Sequence, residues 1–235
     1  MIEFVPLATP GRHFTRTRRV RLGDADVDGV LRPDGVARYL QDVAGDDADD
    51  TVVISEEVWV VRRTAMRVAA GGAWPRLGEE VTLTTWCSGT GAAWAERRTD
   101  LRVGERLMME SVALWVPVDP TGRPVRLRPS FFDVYGEAAA GRHVSGRVTV
   151  VAPPASSAPR PWCVRRSDLD VIGHVNNAAV WSALSEVATE SVRYASLVHH
   201  GPIGAQDDVM MVHEPGRVWL LVDGDVRVAG EYRVE

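Results

Sequence analysis

The chain has 235 residues, a hydrophobic fraction of 45% and a formal net charge of −5, enough apolar side chain to build a core in one large domain or two small ones. The acidic balance gives no basis for nucleic-acid binding, and all 27 basic residues are arginine, a mark of GC-rich coding more than of any functional choice. Two cysteines, Cys87 and Cys163, point to free thiols in a reducing compartment, and no apolar run has signal-peptide or bilayer-spanning length, so the expected location is cytoplasmic with no membrane contact.

Thr17 to Leu22 reads as a strand leading into the turn Asp24-Ala25-Asp26-Val27-Asp28-Gly29. Pro33 suits a helix start, and the apolar spacing of Val36, Leu40, Val43 and Ala44 carries that helix to about Ala44. The acidic run Asp46-Asp47-Ala48-Asp49-Asp50 is expected as a solvated loop, because like charges this close repel. Strands are predicted over Glu57–Val68, Val81–Cys87, Trp94–Val103 and Glu110–Asp119. Residues 149–161 hold Pro153, Pro154, Pro159 and Pro161, which cannot pair in a central sheet and read as a linker. Beyond it the order recurs: strand Trp162–Arg166, a turn, and a helix from about Asn177 to Arg193. Four strands follow, near Ala195–His200, Asp208–His213, Arg217–Val222 and Asp225–Val234.

The recurrence is visible residue by residue. Each position of the first turn, such as Asp24, falls 144 positions before its counterpart, here Asp168. Val20 and Arg21 match Val164 and Arg165; Val36, Leu40, Val43 and Ala44 match Val180, Leu184, Val187 and Ala188. The chain is therefore a duplicated unit. Gly204-Ala205-Gln206-Asp207-Asp208-Val209 echoes Leu77-Gly78-Glu79-Glu80-Val81 and fixes the later register. The copies differ where chemistry would be: His174 faces Val30, and Asn176-Asn177 face Arg32-Pro33.

In the second copy Asp170 and His174 are four apart with Gly173 between, so a tight turn can join carboxylate and imidazole. A base oriented by an acid beside a helix N-terminus could activate water and stabilise an oxyanion. The plainer readings are an Asp that bonds its own turn, a His that hydrogen-bonds the turn, and an Asn176 that caps the helix. His199 and His200 are adjacent on a strand and face opposite sides, a poor metal pair. Neither cysteine has a His or basic partner in its motif. No metal-ligand spacing, nucleotide loop or Gly-x-Ser-x-Gly motif is present, so neither metal nor cofactor is expected.

Asp170-x-x-Gly173-His174-Val175-Asn176-Asn177 at a helix start, in a tandem pair of helix-and-sheet units, resembles the fatty acyl-acyl-carrier-protein thioesterases of plants and bacteria. Tyr39-Leu40-Gln41-Asp42 is similar to a Leu-Gln-Glu stretch of that family. The resemblance implies an α+β double hotdog, each unit a long helix wrapped by a curved antiparallel sheet. It assigns residues 1–148 to a non-catalytic hotdog shaping an acyl pocket, 149–161 to the linker and 162–235 to the catalytic hotdog. It further implies Asp170 and His174 as catalytic residues and Asn176 and Asn177 at the oxyanion and substrate. Gln41, Asp42 and Asp46 are candidate polar groups reaching across from the first unit. The family's motif Asn falls at Ile172, and the Glu-Cys pair of the plant enzymes falls on Pro202-Ile203, or its Glu on Glu214 in a shifted register. The implied substrate is a fatty acyl thioester of acyl carrier protein or coenzyme A, handled by a monomer or homodimer. The alternative reading is a non-catalytic acyl-binding protein.

Overall fold

The computed structural model describes residues 2–51, 57–188 and 190–234. Its elements run β1 (His13–Arg19), α1 (Pro33–Asp49), β2 (Val58–Val68), β3 (Glu80–Thr90), β4 (Ala95–Val103), β5 (Arg106–Val118), α2 (Pro129–Ala139) and β6 (Arg160–Pro161). After these come α3 (Ser182–Ser185), β7 (Val192–His199), β8 (Val209–Glu214), β9 (Arg217–Val222) and β10 (Asp225–Val234). The strands form one antiparallel sheet in the order β1-β3-β4-β5-β2-β7-β10-β9-β8-β6. The halves meet where β2 pairs with β7, Arg63 opposite Val198 and Arg67 opposite Tyr194.

Helices α1 and α3 lie on the same core. Val36, Leu40 and Val43 of α1 and Val180, Trp181 and Leu184 around α3 are buried together, each such side chain contributing roughly 1.5–3 kcal/mol of transfer free energy. The later register is the one read from the echo. Gly204 N–H donates to Asp207 Oδ2 at 2.7 Å, as Arg76 N–H donates to Glu79 Oε2 at 2.7 Å. His174 bridges Gly204 as Val30 bridges Arg76.

Three expectations give way. The first helix runs on through the acidic patch to Asp49, and Asp47 is buried at 1% exposure. Like-charge repulsion is relieved there because arginines pair with the run: Arg12 and Arg97 with Asp47, Arg18 with Asp46. The second helix, expected to Arg193, ends at Ser185, because the sheet claims the chain from Val192, whose carbonyl also accepts from Trp74 Nε1 at 2.7 Å. The strand expected at Trp162–Arg166 is the two-residue edge pairing Arg160–Pro161, inside the stretch read as linker. Helix α2 was not predicted at all.

Candidate active site

The second turn is built by Asp170. Its Oδ1 accepts the backbone N–H of Ile172 at 3.0 Å and of His174 at 3.1 Å, its own N–H donates to the His174 carbonyl at 2.8 Å, and Gly173 sits at φ 82°. That left-handed φ is open to glycine without steric penalty. Asp26 makes the same contacts in the first turn, accepting from Asp28 at 2.9 Å and Val30 at 2.8 Å. Asp170 and His174 are thus joined through the backbone. Among the described residues no hydrogen bond links the carboxylate to the half-buried His174 ring.

Asn176 fixes the start of the second helical segment. Its Oδ1 accepts the Ala178 N–H at 2.8 Å, and its own N–H donates to the Asp168 carbonyl at 2.7 Å. This orders the backbone so that Asn177 lies on the wall of a chamber of about 20 Å³ at the seam between the halves. Gln41 from α1 and Thr64, Thr99, Ser111 and His199 from the central strands share that wall. Asp42 and Asp46 lie elsewhere: both face β1, Asp42 3.7 Å from Arg18 and Asp46 2.8 Å from it. Of the three candidates from the first half, the fold brings only Gln41 to the seam. The exposed turn tip carries Val171 and Ile172 into solvent.

Beside the chamber lies a larger, mostly apolar cavity of about 310 Å³, within the range of small-molecule sites. Gln41, Arg97 and Trp115 line both spaces. Helix α2 closes the far side with Phe131, stacked on Trp59 at 5.6 Å and packed on Tyr135 at 5.0 Å. Cys87 lines this cavity, but burial pushes its thiol up to about 11, which leaves it protonated and a weak nucleophile.

Two groups missed by sequence reasoning act here, Asp47 through Arg97 and His199 on the chamber wall. Asp47 accepts from Arg12 Nε at 2.9 Å and from Arg97 Nη1 at 2.6 Å. Burial alone would lower the Arg97 pKa, and the Asp47 carboxylate outweighs it, so the guanidinium stays charged between the cavities. His199 is buried, while His200 is exposed. Burial, with the nearby Arg62 charge, pushes the His199 imidazole down to about 4, so it is neutral near pH 7. The one available signal for it was the strand alternation that sends His199 and His200 to opposite faces.

Comparison with known proteins gives a consistent picture. An uncharacterized protein of Mycobacterium tuberculosis is 26% identical over 245 residues, covering 99% of this chain and 97% of its own. The structure of an acyl-ACP thioesterase from Bacteroides thetaiotaomicron superposes with TM-score 0.81 at 16% identity, over 95% of this chain and 98% of the other. That of the 12:0-ACP thioesterase from Umbellularia californica gives 0.77 at 17% identity, over 95% and 98%. Likeness at such identity shows the fold, an α+β double hotdog. The acyl-ACP thioesterase N-terminal domain matches residues 11–135 and the C-terminal domain residues 152–206. With both domains matched in order, this chain belongs to the acyl-ACP thioesterase family and is a hydrolase of acyl thioesters.

Proposed function

We propose that the enzyme releases free fatty acid from acyl carrier protein, in the cytoplasm, with each half supplying one part of the site. The supporting observation is the adjoining pair of spaces: a mostly apolar cavity sized for a chain, beside a small chamber at the start of the second helical segment whose wall carries Gln41, Asn177 and His199. The acyl chain lies against Trp59, Trp115 and Phe131, and the thioester reaches the seam beside Gln41 and Asn177. His174, which lines neither space but stands three residues before Asn177 on the chamber wall, takes a proton from water, and the hydroxide oxygen bonds to the carbonyl carbon. Collapse of the tetrahedral intermediate breaks the carbon–sulfur bond, and the imidazolium returns its proton to the departing thiolate. Asp170 holds the backbone of His174 through the turn and so sets where the imidazole starts. Because one chain carries both halves of the seam, a monomer suffices.

Thiol release from acyl-carrier-protein and acyl-CoA substrates of varied chain length, wild type beside His174→Ala, tests this. We expect turnover on carrier-protein substrates and a loss of about 10²–10⁴-fold in the variant. Faster turnover of acyl-CoA would replace the carrier. Acyl binding without turnover would leave a binding protein and refute the hydrolase reading.

A further inference from the structure

A buried polar atom with no partner costs stability, and native structures keep few of them. Among the described residues five side-chain atoms are in this state, and two of them, His199 Nε2 and Trp115 Nε1, belong to residues that line the seam chamber. The chamber, at about 20 Å³, has room for little more than one small polar group. An indole nitrogen can only donate, and a neutral imidazole donates from Nε2 in one of its two tautomers. Two ring nitrogens without partners, on two residues that line a space fitting one oxygen, are candidate donors to a carbonyl oxygen as it gains charge. The backbone amides expected to do this at the second helix start are partly engaged, Asn176 with Asp168 and Ala178 with the Asn176 side chain.

We propose that His199 and Trp115 form the oxyanion site of this thioesterase, their ring N–H groups donating to the thioester carbonyl oxygen in the seam chamber. This rests on the hydrolytic reading above. Trp115 also lines the apolar cavity, so the carbonyl carbon lies where the two spaces join and the chain extends from it past Phe131. Arg97, on both walls, adds a fixed positive charge near the same point. His174 remains the base, so the two histidines divide proton transfer from charge stabilisation.

The test is thiol release by His199→Phe, which keeps a ring and removes the donor, beside His199→Gln, which restores an N–H. We expect kcat for His199→Phe to fall about a hundredfold with KM within a few-fold and Tm not lowered, and His199→Gln to recover part of the rate. Wild-type kcat in His199→Phe overturns the proposal. Should His199→Phe fail to fold, Trp115→Phe takes its place: a tenfold or greater loss of kcat supports the proposal and an unchanged kcat overturns it. If the wild type releases no thiol, the hydrolytic reading itself has failed, and binding of a non-hydrolysable dodecanoyl-pantetheine amide decides the carbonyl site. Affinity weakened in His199→Phe then supports the site, and equal affinity refutes it.

Discussion

Asp26 and Asp170 each accept two backbone amides through one carboxylate oxygen, and each is followed three residues later by a glycine, at φ 74° in the first turn and 82° in the second. Past the turn the copies part. The first continues into a helix of 17 residues, started by Arg32, whose guanidinium reaches the Ala25 carbonyl at 2.7 Å, and held far along by Asp47. The second puts Asn176 where Arg32 stands, makes one short helical segment and gives way to β7. A shared turn is therefore a scaffold, and its aspartate is occupied by structure in both copies. What distinguishes the second copy is the pair of side chains that the first replaces, His174 for Val30 and Asn177 for Pro33.

The long helix of the first copy should be the easiest to damage. Asp47→Ala leaves the Arg97 guanidinium buried without its carboxylate, and we expect a loss of about 3–5 kcal/mol in urea unfolding. The neighbouring Asp42→Ala, at an exposed pair, should change stability by about 1 kcal/mol or less. Equal effects would mean that the acidic run acts as general surface charge. Next come the two turns themselves. Asp26→Ala and Asp170→Ala each remove two hydrogen bonds and should cost about 2 kcal/mol apiece, with the Asn variants milder because an acceptor oxygen remains. If Asp170 also steers His174, only its Ala variant loses turnover beyond what unfolding explains; parallel activity in the two variants would confine Asp170 to the turn. The smallest effect is expected at Ile172, which is 61% exposed at the turn tip. Ile172→Asn, restoring the family's residue, should alter stability by about 0.5 kcal/mol or less and leave thiol release unchanged. A rise in rate would show that the missing amide still limits the reaction.

Much of the fold was legible because its signals are local. Alternation placed the strands from Val58 to Val118, and the last two strands, Arg217–Val222 and Asp225–Val234, match residue for residue. The duplicated Asp-x-Asp turn was legible because its hydrogen bonds close within a few residues, so residue identity carries them directly. The end of the second helix was not. Val180, Leu184 and Val187 keep helical spacing, yet the sheet takes the chain from Val192, an outcome set by β2 and β10 on either side. The acidic run was misread for a related reason: its partners Arg12 and Arg97 lie 35 and 50 residues away from Asp47.

The site divides along the same line. Sequence alone determined the family, the tandem plan and the turn that carries His174, because a motif and a repeat are properties of residue order. Only the tertiary structure decided which side chains meet at the seam. It brought Gln41 to Asn177, turned Asp42 and Asp46 away toward β1, and set His199 and Trp115 on one chamber. Those residues come from α1, β5, β7 and the second helix start, and no local rule links them. Their meeting follows from a continuous sheet that pairs β2 with β7 and buries both helix faces over that junction.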